Sequence, residues 1–360
     1  MIVTCLSLVV AFLFSSIITF FVAPLFRALA FKTGILDIPD GILKNHERPV
    51  AYLGGVAVFL GFIIPVYFFR TYVLELNVHY FLVGLIILLI VGLIDDIYAI
   101  SPLKKFLGEV CACLFFFKDG LFFKEQFFFD VLPCSLQPLV SISLLNIFFS
   151  SWWMLTVINA INLIDIMDGL AVAISFVAAV SFCVMAIVSK KYLLAVVMSS
   201  LCGSLVAFFC YNKPRASMYL GDAGSLFIGG VLAAAPFFLD WGSSSGGVIL
   251  APFFVLFVPL FEVVALIVIR SWKKIPFYYG SPHHFVSYFK KREYSVKKIL
   301  TIAFTMGSLS GALGLFVAFK DKGFFPAFLI ILGLMLLWGN FVYFYQNKSF
   351  FFKKCCFFFC

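Results

Sequence analysis

The sequence predicts an all-α, polytopic integral membrane protein with about 10–11 transmembrane helices. Of its 360 residues 64% are hydrophobic and only 12% are charged, against roughly 45–50% and about 25% in soluble globular proteins. The mean hydropathy is +1.12. Apolar runs of about 20 residues, each able to cross about 30 Å of hydrocarbon, recur from end to end. Lipid-facing backbone must be helical or lie in a closed barrel, so sheet structure is not expected.

The runs fall at residues 3–24, 50–69, 80–95, 103–118, 140–160, 169–188, 192–211, 224–239, 247–269, 298–318 and 324–346. The first has no basic residue before its apolar stretch and no small-residue cleavage site before Pro24, so a retained helix is expected rather than a signal peptide. The fourth is short and polar-flanked, and is either a span or a re-entrant segment. Residues 119–139 leave room for a small hairpin outside the bilayer. Residues 1–346 are expected to form a single transmembrane domain, with 347–360 as a cytoplasmic tail.

The net charge of +9 would suggest nucleic acid in a soluble protein. Here the positive-inside rule accounts for it, and no nucleic-acid partner is expected. With the amino terminus outside, 19 of the 26 Lys and Arg residues fall in inner segments and 7 in outer ones. The expected setting is the cell inner (plasma) membrane, crossed many times, with membrane lipids as partners. The ten cysteines show no metal-ligand spacing, and most sit in apolar runs as inert thiols. Cys355, Cys356 and Cys360, after Lys353 and Lys354, form either a lipidated or an unmodified interfacial tail.

In this topology the unusual polar clusters share the cytoplasmic face. Asp95 and Asp96 close Gly92-Leu93-Ile94-Asp95-Asp96. Adjacent carboxylates at the partially negative end of a helix repel each other unless a cation is near. A solvated helix end is the plain reading, and a pair that positions a divalent ion or a basic group is the sharper one. The string Asn159-Ala160-Ile161-Asn162-Leu163-Ile164-Asp165-Ile166-Met167-Asp168-Gly169-Leu170 repeats polar residues every third position. On one helix they would share a face, with oxygens suited to a hard cation or a nucleoside. Capping would use one of them. Tyr219-Leu220-Gly221-Asp222-Ala223-Gly224-Ser225 opens a helix, where Asp222 is either a cap or part of a phosphate site. The loop 270–298 carries eight basic residues and Gly280-Ser281-Pro282-His283-His284-Phe285. It suits phosphate contact better than zinc, because no carboxylate or cysteine stands at ligand spacing.

These clusters, in this order from about Asp37 to about Phe289, resemble the polyprenyl-phosphate N-acetylhexosamine-1-phosphate transferases. Arg48-Pro49-Val50-Ala51-Tyr52-Leu53-Gly54-Gly55 is similar to that family's first cytoplasmic motif. The resemblance implies a Mg²⁺-dependent enzyme, with Mn²⁺ as an alternative. A polyprenyl (undecaprenyl) phosphate would attack the sugar-bearing phosphorus of a UDP-N-acetylhexosamine and release UMP. It implies Asp222 and Asn162 as metal ligands. Asp95 and Asp96 would lie by the acceptor phosphate, Asp165 by the ribose or the metal, and His284 by the diphosphate; these four form the catalytic set. Asp168, Asn212, Tyr219, Arg48 and His283 would bind substrate. A homodimer is left open.

The chain departs from the family pattern at Val50-Ala51-Tyr52, at Ala99, at Ile166 and in having two histidines rather than three. The first motif and the missing third histidine favour a plain donor, UDP-GlcNAc, over the peptide-bearing donor of the phospho-MurNAc-pentapeptide transferases. A secondary transporter is the competing class. It would place its polar residues near the midplane in repeated halves, and no repeat is visible.

Overall fold

The structure, a computed structural model, describes residues 2–38, 49–69, 78–124, 142–241, 246–276, 283–319 and 333. The elements are α1 (Ile2–Thr33), β1 (Leu36–Asp37), β2 (Val50–Ala51), α2 (Gly54–Phe69), α3 (His79–Tyr98), α4 (Pro102–Lys118), α5 (Ile142–Ile164), α6 (Leu170–Val188), α7 (Tyr192–Asn212), α8 (Gly221–Phe238), α9 (Gly246–Val255), α10 (Phe257–Trp272), α11 (Phe285–Lys291) and α12 (Val296–Phe319). Seven of these helices are long and apolar enough to cross a membrane, and α2 is a shorter apolar helix of 16 residues. The chain is a multi-pass, all-α membrane protein. The expected span 324–346, the tail 347–360, most of the expected hairpin and Arg48 lie outside the described residues.

Two spans differ from expectation in form. The run 247–269 is two helices separated at Leu256. Pro259 has no N–H to give the carbonyl of Val255, so a new helix starts there. The run 50–69 becomes helical only at Gly54, because Val50 and Ala51 form a short antiparallel ribbon with Asp37 and Leu36.

Helix α8 is the centre of the bundle. In it 94% of the membrane-length window is buried, against 22% in the peripheral α1. Lipid tails give helices no hydrophobic reason to associate, so close backbone approach through small residues has to do so. Helix α8 carries Gly221, Gly224, Gly229, Gly230 and Ala233 to Ala235. Gly92 of α3 lies directly against the backbone of Asp222 and Ala223, and Gly55 of α2 against Gly224. These crossings clamp the amino end of α8 between α2 and α3. Two polar groups inside the bundle are tied to backbone carbonyls: Trp153 Nε1 donates to Ala233 O at 3.0 Å, and Ser15 Oγ to Ser200 O at 2.6 Å.

The segment that leads into α8 is stitched to the first motif. Tyr219 N donates to Ala51 O at 2.9 Å, Gly54 N to Tyr219 O at 3.1 Å and Gly55 N to Leu220 O at 2.8 Å. Sheet-like pairing is thus present after all, confined to the ribbon and the Ala51–Met218 bridge.

The polar stripe from Asn159 to Asp168 does not run along one helix. Helix α5 ends at Ile164, and Asp165 and Asp168 lie in the connection to α6. Asp168 takes its hydrogen bonds from the backbone of Arg215 and Ala216, and Gly169 turns the chain with φ 76°. Side chains that capture nearby backbone N–H groups in this way favour a turn over a continued helix.

Candidate active site

Four helix ends meet at one side of the bundle: the carboxyl ends of α3 and α5 and the amino ends of α4 and α8. Lys105, one turn into α4, is the hub. Its Nζ lies 2.7 Å from Asp222 Oδ2, 3.0 Å from Asp95 Oδ2 and 3.2 Å from Asn162 Oδ1. The Asn162 amide also donates through Nδ2 to Asp222 Oδ1 at 2.6 Å and to Ser225 Oγ at 2.9 Å. Asp95 is further held by Ile100 N, which donates to Oδ1 at 2.9 Å.

Asp96 has a different task from its neighbour. Its two carboxylate oxygens accept from Asp222 N at 2.8 Å and Ala223 N at 3.1 Å. It is the cap of α8, supplied from α3, and it sits at the partially positive helix end. The Asp222 carboxylate instead accepts from Lys105 Nζ and Asn162 Nδ2. The two carboxylates of the Asp95–Asp96 pair are thus compensated separately: one has an ammonium and the other has two helix amides. A Cβ at Gly221, which has φ 72°, would lie 2.6 Å from Asp96 Oδ2. Only glycine permits this approach.

Asp165 lies on the α5–α6 connection, where its backbone N donates to Asn162 O at 3.2 Å, and its side chain has no hydrogen-bond partner among the described residues. Burial pushes its carboxyl well above the usual range, and the charges of Asp222, Asp96 and Asp168 push the same way. Asn212 is buried and bridges two strands of loop: Gly169 N donates to its Oδ1 at 3.0 Å, and its Nδ2 donates to Met218 O at 3.0 Å. Tyr219 packs edge-on against Tyr52 with ring centroids 6.0 Å apart. Burial, with Asp168, Asp37 and Asp165 adding to it, pushes the Tyr219 phenol up to about 12. Tyr52 is raised as well, by burial first and then by Asp37 and Asp96. Both phenols stay neutral at physiological pH.

The histidine pair belongs to a separate group. His284 Nδ1 is 2.9 Å from Glu262 Oε1, and His283 Nε2 is 3.0 Å from Lys273 Nζ. Burial lowers the pKa of His283, and the charges of Lys273, Lys291 and Arg270 add to the effect. Among the described residues no hydrogen bond links either histidine with the Asp95–Asp96–Asp222 cluster.

Among the described residues Asp95 and Asp222 share the Lys105 ammonium, while Asp96 rests on the α8 amides. Two carboxylate oxygens and an amide oxygen already converge on the Lys105 cation. This donor set fits Mg²⁺, a hard ion commonly held by one or two carboxylates together with phosphate and water. It is not an all-protein cage: no group of three His, Cys, Asp or Glu is gathered for a metal among the described residues.

Lys105 and Glu262 escaped the sequence reading. Lys105 stands just inside an apolar helix and shortly after an Asp-Asp pair, which is itself a signal of pairing. Glu262 is the one acid of α10, and an ionisable residue in an apolar span is itself a pointer to function.

The sequence is similar to that of known proteins. The family model described as glycosyl transferase family 4 matches residues 78–239. The chain is 30% identical over 274 residues to the "Probable undecaprenyl-phosphate N-acetylglucosaminyl 1-phosphate transferase" of Bacillus subtilis, covering 75% of this chain and 73% of that one. It is 27% identical over 284 residues to the "Decaprenyl-phosphate N-acetylglucosaminephosphotransferase" of Mycobacterium tuberculosis, covering 71% and 69%. It is 31% identical over 210 residues to the "Phospho-N-acetylmuramoyl-pentapeptide-transferase" of Streptococcus sanguinis, covering 53% and 61%. The matched region holds Asp95, Asp96, Lys105, Asn162, Asp165, Asp168, Asn212, Tyr219 and Asp222. The chain belongs to glycosyl transferase family 4 and is a multi-pass membrane enzyme of that family.

Proposed function

We propose that the protein transfers N-acetylhexosamine-1-phosphate from a UDP-sugar, UDP-GlcNAc, to a polyprenyl phosphate at the cytoplasmic face of the plasma membrane. An oxygen of the lipid phosphate bonds to the sugar-bearing phosphorus, the bond from that phosphorus to the bridging oxygen breaks, and UMP leaves. The product is a polyprenyl-diphosphate sugar. The observation that carries the reading is the convergence of Asp95, Asn162 and Asp222 on one cation at the amino end of α8.

Asp222, with Asn162, would hold Mg²⁺. When bound, that ion would neutralise charge on the donor diphosphate. The chain's residues do the positioning. Asp96 fixes the amino end of α8, so that Asp222 and Asn162 face the same point. Lys105 is a cation within reach of Asp95 and Asp222, ready to pair with an incoming phosphate. Asp168, Asn212 and Tyr219 shape the loops beside the cluster, where the nucleoside would bind, with Arg48 and His283 as further substrate contacts. The lipid phosphate is already anionic near neutral pH, so positioning and charge neutralisation outweigh any need for a base.

UDP-GlcNAc is favoured because the relatives named for GlcNAc transfer are covered over 73% and 69% of their length, while the pentapeptide transferase is covered over 61%. The test offers UDP-GlcNAc and UDP-MurNAc-pentapeptide separately to purified protein with undecaprenyl phosphate. UMP release from UDP-GlcNAc is expected. A preference for the peptide-bearing donor would reassign the substrate and leave the reaction class standing.

A further inference from the structure

Glu262 sits in the apolar helix α10 as its one acidic residue, and it is 2% exposed. A carboxylate there is costly unless it has strong partners. Its Oε1 has two, adjacent in the chain: His284 Nδ1 at 2.9 Å and Phe285 N at 3.3 Å. The hollow beside it is lined by Phe257, Phe261, Ala303 and Met306, which offer no other donor. The carboxylate thus ties a deep point of α10 to the first residues of α11. His284 stands at the N-cap position of α11 with an extended backbone (φ −70°, ψ 148°), yet its side chain makes no cap bond. The direction of its ring is set by Glu262. With Nδ1 engaged, Nε2 is the nitrogen left over, and it has no partner among the described residues. His283 has no such support. It is turned to Lys273, whose ammonium would oppose any added positive charge on the ring.

We propose that Glu262 is the positioning residue of His284: it holds Nδ1, fixes the plane of the imidazole and leaves Nε2 to face the phosphates in transfer. This rests on the phosphotransfer reading above. A carboxylate behind a histidine commonly fixes both the tautomer and the orientation of the ring. The histidine pair is then unequal, with His284 in the reaction and His283 at its margin.

A double-mutant cycle tests this. Glu262→Leu should lower kcat about 100-fold, in the range of losing a positioned acid–base group, with KM for the UDP-sugar changed less than about threefold. The double variant with His284→Ala should be no slower than His284→Ala alone, since a residue that acts through the histidine has nothing left to do without it. Glu262→Gln, which keeps an oxygen acceptor, should recover at least about tenfold of the loss. Multiplying losses, or a Gln variant no better than Leu, would overturn the proposal. If the Leu variant does not fold, ¹⁵N spectra of histidine-labelled wild type and Glu262→Gln decide it. The His284 Nδ1 resonance should move and that of His283 should not, whereas an unmoved His284 would overturn the proposal. The spectrum needs no turnover, so a wild-type protein inert towards UDP-sugars would refute the phosphotransfer reading separately.

Discussion

Lys105 Nζ lies 2.7 Å from Asp222 Oδ2, across a sequence separation of 117 residues. Helix α4 thereby places a fixed positive charge at the amino end of α8, where the proposed metal would also bind. Lys105 and a divalent ion cannot both be neutralised by the same Asp222 oxygen. Replacing Lys105 by Met should therefore tighten Mn²⁺ binding in the absence of substrate while turnover falls at least about 100-fold, as for loss of a charge aimed at a transferring phosphate. Electron paramagnetic resonance of Mn²⁺ titrated into wild type and variant measures the first effect. Weaker binding in the variant would show that Lys105 does not compete for the metal's place.

Asp96→Ala should destabilise the protein by about 1–2 kcal/mol, the usual loss for a helix cap. It should lower the thermal midpoint in detergent and lower activity with it. Asp95→Asn should cost activity with a smaller thermal effect. If the Asp96 variant unfolds at the wild-type temperature, the cap contributes nothing.

Gly92→Ala tests the crossing of α3 and α8. A single methyl would press on the backbone of Asp222 and Ala223. The expected cost is about 1–3 kcal/mol from overpacking, together with loss of activity, because Asp95 and Asp96 would move away from Lys105 and the α8 amides. Gly120→Ala, at a positive-φ turn with open space around it, should lose stability without that loss of activity. The comparison rests on thermal midpoints and on turnover of the refolding-competent fraction.

Asp165 gives a pH dependence. Its folded-state carboxyl is raised above its unfolded value by burial and by Asp222, Asp96 and Asp168. For an acid shifted upward, the folded state holds the proton more tightly. Stability is then lost as pH rises from the ordinary carboxylate value of about 4 through the raised value. In metal-free protein, Asp165→Asn should melt above wild type at pH 8, and the difference should vanish near pH 4. Excess Mg²⁺ should shrink the gap at pH 8. A variant that melts below wild type at pH 8 would contradict the electrostatic account.

Much of this site was legible because its residues stand at the ends of apolar runs. Asp95, Asp96, Asn162 and Asp222 each interrupt a span boundary, and the fold brings them together as the alternation of spans requires. Two features were hidden. The three-residue period of Asn159 to Asp168 imitated a helix face, whereas Asp168 is drawn into a turn by amides of residues 215 and 216, some 47 positions away. The cap of α8 comes from Asp96, although Asp222 stood at the local capping position. Both depend on hydrogen bonds between distant segments, which local pattern does not encode. The break at Leu256 had a visible cause in Pro259, but the run reads as one span by hydropathy.

The most direct measurement of the central claim follows the β-phosphate. Purified protein is given UDP-GlcNAc labelled with ³²P at the β-position, a polyprenyl phosphate and Mg²⁺, and the lipid and aqueous phases are separated. The account predicts label in the lipid, unlabelled UMP in water, and loss of both in excess chelator or with Asp222→Asn. Label that stays in water as UDP while sugar enters the lipid, or undiminished transfer by the Asp222→Asn variant, would contradict it.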